Sequence, residues 1–396
     1  MVGDKMNIVI LTSGDFPYGG APEALVRNLA LGLNEISVNV EVVRLRGQRY
    51  KHSNDTNIKV TNYLFKKPFN LEFLKFIELI LIISYIPFFV LNRKFIKKDD
   101  VILLYGIEYG YQIIPFIIFS KLVSIKCVRF ITDSYRASTI MPVWWKSPKL
   151  YFYNLQITKF DKYLDGVIVL SKFLYDRNLK YGVKNSNLLL LPHFIEIKKN
   201  PDDIKINNNN LIGFCGTVNV ENGVLDLIKA FEIIRLNHSD AKLLIIGEVS
   251  ADMKKKIQEM GIDMKNITFT GQLDKKNVEI NLLKCSILVN PRQNGEWAEA
   301  GFPTKLGEYF AIKKPVVTTK TGDLKSYFTD KKELVFAEPN NPESLANAIE
   351  FIINNPEISS KIAENGYNWA VVNLDYKNNA YKLLNFINES IIKSKI

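Results

Sequence analysis

The chain has 396 residues, which is long for one domain and sufficient for two. Its apolar share of 47% can fill two cores and argues against an intrinsically disordered protein. The formal net charge of +11 would suit nucleic acid, but the lysines are scattered and no nucleic-acid-binding motif is present. A basic surface also attracts anionic nucleotide sugars and acidic membrane faces, and we expect these partners and no nucleic acid.

Cysteine usage and apolar segments predict the compartment. Cys127, Cys215 and Cys285 show no metal-ligand spacing and lie in or beside apolar runs, as expected for core residues in a reducing cytoplasm. No secretory signal is visible, and the densest apolar run, residues 79–91, is shorter than the ~20 residues that cross a bilayer. We interpret this run as a buried helix. The alternative is a helix whose apolar face inserts into the membrane surface. We therefore expect a cytoplasmic protein, either soluble or peripheral on the inner face of the cell membrane.

The first half of the chain alternates strands and helices. The apolar run 8–11 predicts a strand, and the stretch 22–33 predicts an amphipathic helix, for which Pro22 suits the first turn. Between them, Gly19 and Gly20 allow the backbone to approach a bound group closely, so this is either an ordinary turn or a ligand loop. Further elements are strands at 38–45, 58–64, 101–105, 127–131, 165–171 and 188–192, and a helix at 111–124.

Asp133 follows the strand 127–131, at the carboxyl end where ligands of parallel sheets bind. It is a candidate acceptor-side base or hydroxyl ligand, and a helix N-cap is the alternative. His193 follows the strand 188–192, and we expect it to be a structural residue.

A polar stretch, residues 198–210, shows no apolar periodicity and predicts a linker between two domains. Its Asp202 and Asp203 are expected to be solvated linker residues, and no metal site is expected anywhere. The second half again alternates, with strands at 211–215, 243–248, 267–271, 286–290, 315–319 and 334–336, and helices at 224–236, 275–283, 305–312, 341–353 and 376–393. A repeated strand, loop, helix and strand predicts an open α/β sheet.

Candidate ligand residues are concentrated after the strand 286–290. The loop and helix that follow carry Arg292, Glu296, Glu299, Lys305 and Glu308. Ligands of open α/β sheets bind outside the carboxyl ends of the strands, and helix N-termini favour anions, so a phosphate fits this position. Ionised carboxylates only accept hydrogen bonds and therefore suit hydroxyl-rich groups. Phosphate and polyol together predict a nucleotide sugar.

Three segments resemble the donor-site signature of the retaining, GT-B-fold glycosyltransferases of family 4. They are Asn290-Pro291-Arg292, residues 301–309 (GFPTKLGEY) and residues 314–317 (KPVV). The resemblance implies an α/β protein with two Rossmann-like domains whose parallel sheets face each other across a cleft. It implies an acceptor-binding domain over residues 1–198, a donor-binding domain over residues 199–377, and a C-terminal helix, about 378–396, that packs back on the first domain.

The resemblance also implies a reaction. A hexosyl group would move from a UDP- or GDP-linked sugar to an acceptor hydroxyl, with retention at the anomeric carbon and with no metal or other cofactor. A glycan or lipid-linked acceptor in cell-envelope polysaccharide or glycolipid synthesis fits the family. Two alternatives stay open: a nucleotide-sugar epimerase of the same fold, and a non-catalytic nucleotide-binding subunit.

Residue roles follow from the same resemblance. Arg292 and Lys305 would bind the diphosphate, and Glu308 would bind the ribose hydroxyls. Glu299 would contact the donor sugar, and Asp133 would act on the acceptor side. The other donor-binding candidates are Gly216, Thr217, Asn222, Gly301, Phe302, Pro303 and Thr304, with Gly19 and Gly20 as an acceptor or phosphate loop.

The chain departs from the family pattern in two places. The position that pairs with Glu308 in the family holds Ala300, and Glu299 lies one residue before it. The family's basic residues in the first loop of the donor domain are replaced by Thr217 and Asn222, which are neutral. The remaining cations and backbone N–H groups would then have to neutralise the diphosphate.

Overall fold

A computed structural model describes residues 6–12, 16, 21–46, 58–65, 100–106, 110–132, 148–197 and 210–392. The chain divides into two compact units, Met1–Phe194 with Tyr376–Ile396, and Ile195–Asp375. The domain boundaries predicted from the sequence lie a few residues later, after residues 198 and 377. Ile195 belongs to the second unit, where its backbone N–H donates to the Leu374 carbonyl over 2.8 Å. Outside the described residues lie Gly19, Gly20, the apolar run 79–91, Asp133 and most of the linker 198–210.

The first unit is built on a parallel sheet. Its strands are β1 (Asn7–Thr12), β2 (Asn39–Arg46), β3 (Lys59–Phe65), β4 (Val101–Tyr105), β5 (Lys126–Ile131), β6 (Gly166–Val169) and β7 (Leu188–Leu190). They lie in the order β3-β2-β1-β4-β5-β6-β7. β4, β5 and β6 are buried at every residue, as in parallel sheets covered on both faces. The helices of this unit begin with α1 (Ala21–Glu35), α2 (Gly110–Val123), α3 (Pro148–Leu155) and α4 (Lys172–Lys180).

A buried ion pair ties the segment after α3 to this sheet. Arg129, on β5, is 2% exposed, and its Nη1 atom lies 2.8 Å from each carboxylate oxygen of Asp161. Gln156 Nε2 also donates to Asp161 Oδ1, over 2.7 Å. Residues 156–160 form a π-helical turn, and residues 161–163 a 3₁₀ turn. Because each charge is removed from water and satisfied by the other, the pair fixes this segment against β5.

The second unit has its own parallel sheet. Its strands are β8 (Leu211–Cys215), β9 (Lys242–Ile246), β10 (Ile267–Phe269), β11 (Ile287–Asn290), β12 (Val316–Thr319) and β13 (Val335–Ala337), in the order β10-β9-β8-β11-β12-β13. Its helices are α5 (Val224–Asn237), α6 (Ala251–Glu259), α7 (Lys275–Lys284), α8 (Glu296–Ala300), α9 (Thr304–Ala311), α10 (Leu324–Tyr327), α11 (Pro342–Asn354) and α12 (Pro356–Asn373). α8 lies within the stretch expected to be a loop. The strand order changes direction between β8 and β11, where ligands bind in such sheets.

The last helix, α13 (Tyr376–Phe386), belongs to the first unit and packs on α1. The contact is close, because a Cβ on Gly32 of α1 would lie 2.5 Å from the Tyr376 carbonyl oxygen. Asn379 Nδ2 donates to the His193 carbonyl over 2.6 Å. His193 is buried, and burial lowers its pKa to about 4, so the imidazole is neutral at pH 7 and has a structural role.

Three further observations bear on function. Within the described ranges, no helix has both the length and the apolar character needed to cross a bilayer. In the same ranges, no three His, Cys, Asp or Glu side chains gather as a metal site would require. The cysteines are free; Cys127 and Cys285 are buried, and Cys215 is half-buried.

Candidate functional site

The candidate site lies at the carboxyl ends of β8 and β11. The two strands pair in parallel, with Leu288 opposite Gly213, so the loops that leave them meet at one sheet edge. β8 continues into Gly216, whose φ of +141° is one that L side chains rarely adopt. A Cβ on Gly216 would lie 2.4 Å from Lys305 Cε and 2.7 Å from Lys305 Nζ. Glycine therefore allows the lysine of α9 to lie across the backbone that follows β8.

Lys305, in the first turn of α9, places a cation in a buried position. Its Nζ atom lies 4.3 Å from the ring centroid of Phe214, in a cation–π contact. Among the described residues, no acceptor makes a hydrogen bond to this atom. Burial lowers the pKa of Lys305 to about 7, and the charge of Arg292 acts in the same direction. A bound anion would supply the missing acceptor and raise that pKa.

The lowered pKa predicts a pH-dependent stability. The folded pKa of Lys305 is about 7, and the ordinary pKa of lysine is 10.5. Between these two pH values, Lys305 keeps its proton in the unfolded chain and has released it in the folded protein. Stability rises with pH wherever the unfolded state binds more protons. The wild type should therefore gain free energy of unfolding relative to Lys305→Met as pH increases through this window, and the difference should be constant below it. Urea unfolding of both proteins from pH 6 to 10 measures the effect, and parallel profiles would contradict it.

Arg292 follows β11, and two loops hold it in place. Its Nη1 atom donates to the Gly301 carbonyl over 3.3 Å, and its own carbonyl accepts the hydroxyl of Thr319, at the end of β12. The side chain is half-buried and close enough to Lys305 for the two charges to repel. Two neighbouring cations beside a helix N-terminus suit a multiply charged anion.

Glu308 lies one turn after Lys305 on α9. Its side chain reaches solvent, yet the surrounding protein desolvates the carboxylate enough to raise its pKa, against the opposing charges of Lys275 and Lys305. The next residue, Tyr309, accepts the backbone N–H of Cys215 on its hydroxyl over 2.9 Å. This bond fixes α9 against the end of β8, with Lys305 and Glu308 on one helix face.

Glu299 lies on α8 and is held by the loop after β12. Its Oε1 atom accepts the backbone N–H of Gly322 over 3.3 Å. Gly322 has a φ of +55°, and a Cβ there would lie 2.7 Å from the Ala298 carbonyl oxygen. The loop therefore packs on α8 at a position that only glycine fits, and it helps to position Glu299.

Gly322→Ala is expected to lower the free energy of unfolding by roughly 1–3 kcal/mol, because the new methyl group meets the Ala298 carbonyl at a left-handed backbone position. Gly261→Ala is the matched control. Gly261 has a φ of +64°, but no heavy atom lies within 4 Å of a Cβ there. Only the backbone cost of roughly 1 kcal/mol should remain. Denaturant unfolding measures both variants, and equal losses would show that the contact with α8 contributes nothing.

The loop between β8 and α5 is closed by its own polar groups. Asn222 Nδ2 donates to the carbonyl of the exposed residue Thr217 over 2.8 Å, and the Asn222 backbone N–H donates to Asn219 Oδ1 over 2.8 Å. Gly223 has a φ of +72°, and a Cβ there would lie 1.7 Å from the Pro291 carbonyl oxygen. The neutral side chain of Asn222 therefore shapes the loop, and the positive charge beside it comes from the arginine and lysine described above.

The segment between α8 and α9 contributes one side chain to the core and leads into the helix start at the candidate site. Phe302 is buried in an aromatic cluster, stacked on Trp369 at 6.3 Å and edge-on to Tyr327 at 5.8 Å between ring centroids. Its side chain supports the fold, which leaves the backbone as the part of Phe302 that can meet a ligand. Pro303 directly precedes α9, and Thr304 is the first residue of this helix, so the backbone N–H donors of its first turn begin here.

The structure adds three residues that sequence reasoning did not select for the site: Phe214, Cys215 and Tyr309. The apolar spacing of α9 marks Tyr309 as a core residue, but no local pattern identifies the backbone of Cys215 as its partner. Burial raises the pKa of the Cys215 thiol to about 11, with the charge of Glu308 acting in the same direction. The thiol is therefore protonated at pH 7.

Known proteins resemble this chain in sequence and in fold. Residues 196–369 match the family described as "Glycosyl transferases group 1". An uncharacterized glycosyltransferase of Methanocaldococcus jannaschii, MJ1178, is 29% identical over 219 residues, which are 54% of this chain and 56% of that protein. The capsular polysaccharide biosynthesis glycosyltransferase CapM of Staphylococcus aureus is 26% identical over 173 residues, 41% of each chain. The chain thus spans about half the length of these two relatives.

Solved structures show the same fold over nearly the whole chain. Alr3699/HepE of Anabaena, in complex with UDP, superposes with a TM-score of 0.70 at 16% identity. The superposition covers 97% of this chain and 100% of that one. At this level of identity the similarity establishes the fold, which is GT-B.

Proposed function

We propose that the chain is a group 1 glycosyltransferase that transfers a sugar from a nucleoside diphosphate sugar to an acceptor hydroxyl, because residues 196–369 match that family and the fold is GT-B. The second unit would bind the donor, and the first unit the acceptor. The observation that carries the proposal is a pair of neighbouring cations at the start of α9. They are Arg292 and Lys305, and the Lys305 side chain lies against the backbone of Gly216.

The cation pair supports a diphosphate as the bound anion. Lys305 Nζ is buried, and phosphate oxygens would satisfy it. When the bond between the sugar and the diphosphate breaks, negative charge grows on the departing diphosphate. Arg292, Lys305 and the N-terminal N–H groups of α9 would stabilise that charge as it forms. The chain's own cations can therefore do this work, and we propose a metal-independent reaction that retains the anomeric configuration.

The two glutamates support a hydroxyl-rich ligand. Glu308 lies one helical turn after Lys305. With the diphosphate bound at Lys305, the Glu308 carboxylate would accept hydrogen bonds from the ribose hydroxyls next to it. Glu299, positioned by Gly322, would accept hydroxyls of the donor sugar. Asp133 is the proposed acceptor-side base.

The relatives suggest which substrates to test first. The Anabaena protein has been crystallised with UDP-glucose as well as with UDP, so UDP-hexoses are the first donors to test. The Staphylococcus relative is named for capsular polysaccharide biosynthesis. We propose a glycan or lipid-linked acceptor in cell-envelope polysaccharide or glycolipid synthesis.

One assay tests the proposed function against its alternatives. The protein is incubated with radiolabelled UDP- and GDP-hexoses, with and without a lipid-linked glycan acceptor, and the products are separated by chromatography. Label transferred to the acceptor, with the anomeric configuration retained by NMR, is the expected result. Interconversion of the sugar without acceptor would indicate an epimerase instead. Nucleotide binding without turnover would indicate a binding subunit, and no binding would contradict the site itself.

A further inference from the structure

The first unit exposes an apolar stripe along α2. Ile118 is 56% exposed and Leu122 is 78% exposed, and they lie one helical turn apart on one face. Ile114, one turn earlier on the same face, is half-buried. Single exposed apolar residues are normal in soluble proteins, but a surface helix usually places polar residues on its outer face. A continuous aliphatic stripe at this position calls for a partner.

Lysines border the stripe, while the acidic groups that the structure describes beside it are buried. Lys121 is half exposed, and its Nζ atom lies 3.4 Å from Asp165 Oδ1, on a side chain that is 4% exposed. Asp161 is buried in its pair with the arginine of β5. By contrast, Lys159 and Lys162, on either side of Asp161, are exposed. The charge that the described part of this surface shows to solvent is therefore positive.

An exposed aromatic ring completes the surface. Tyr163 is 52% exposed, and Lys162 Nζ lies 5.2 Å from its ring centroid. α2 packs against α3 and the π-helical turn that follows it, and the Lys121 contact with Asp165 brings the end of α2 beside this segment. We call the surface the α2 patch, made of Ile114, Ile118, Lys121, Leu122, Lys159, Lys162 and Tyr163.

We propose that the α2 patch docks the protein on the surface of an anionic lipid bilayer. Aliphatic side chains with an aromatic ring and a lysine border match the interfacial region, where apolar groups enter the acyl boundary and cations meet anionic headgroups. The overall charge of +11 acts in the same direction. A second copy of the chain is disfavoured as the occupant, because two α2 patches facing each other would bring their lysines together. The proposal does not depend on the proposed reaction.

Vesicle flotation tests the proposal with the full-length protein. We expect it to float with phosphatidylcholine vesicles containing 30% phosphatidylglycerol in 0.1 M salt, and to float less with pure phosphatidylcholine. The double variant Ile118→Ser/Leu122→Ser should lower the partition coefficient by at least about tenfold, because the apolar area available for insertion is lost. Lys159→Glu/Lys162→Glu should lower it by roughly fivefold or more for each lysine and remove the preference for anionic vesicles.

Matched controls distinguish binding by the α2 patch from nonspecific adsorption through other exposed apolar residues. Leu236→Ser and Val372→Ser remove residues that are 83% and 62% exposed on helices of the second unit, and both should float like the wild type. Binding of UDP and turnover with a water-soluble acceptor should be unchanged in every α2 patch variant, so failure of the docking proposal and failure of the proposed function are distinguishable. Flotation of Ile118→Ser/Leu122→Ser at the wild-type level would overturn the proposal. A concentration-dependent dimer that this variant dissociates would also overturn it, because the patch would then bind a second copy.

Discussion

Lys305→Met should lower kcat/KM for sugar transfer by roughly 100- to 1,000-fold, the range seen when one preorganised donor to a developing anion is removed. The same variant should unfold at the wild-type denaturant concentration or above it. Lys305 Nζ is buried without a hydrogen-bond partner among the described residues, and methionine fills a similar volume without a charge to desolvate. Initial rates with a UDP-hexose and urea unfolding curves measure the two effects.

Opposite effects on activity and stability distinguish a functional cation from a structural one. Lys325→Ala, an exposed lysine on α10 of the same unit, should change neither quantity and serves as the control. A marked loss of stability in Lys305→Met would show that the cation holds the fold. Wild-type activity in a stably folded Lys305→Met would remove this residue from the diphosphate site.

Asp161→Asn should lower the free energy of unfolding by roughly 3–5 kcal/mol, because it leaves the Arg129 guanidinium buried without a compensating charge. The same change also weakens the hydrogen bond from Gln156. Denaturant unfolding followed by far-UV circular dichroism measures the loss, which should be visible as an earlier transition of the first unit.

The exposed pair Lys172–Asp176 on α4 provides the matched control. Both side chains are more than half exposed, so Asp176→Asn should cost less than roughly 0.5 kcal/mol. Arg129→Leu/Asp161→Leu removes both buried charges and should recover part of the loss seen in Asp161→Asn. If Asp161→Asn cost no more than Asp176→Asn, burial of the ion pair would have no energetic consequence.

Most elements of the fold follow from short stretches of sequence. β4 and β8 occupy the residues expected, 101–105 and 211–215, because each is an apolar run that ends at a glycine. α5 begins at Val224, directly after Gly223, as its apolar periodicity predicts. The short helix α8 was not predicted, because its single turn between glycines has too few residues to show a helical period.

The sequence by itself determined which residues could form the site, since Arg292, Lys305 and Glu308 are close along one loop and one helix. Only the tertiary structure decided what those side chains meet. It places the Lys305 side chain across Gly216 and packs the Phe302 ring into an aromatic cluster. The physical reason is that periodicity reports the burial of a residue relative to its neighbours in the chain. The contacts of a side chain depend on the order of the strands, which brings together residues far apart in sequence.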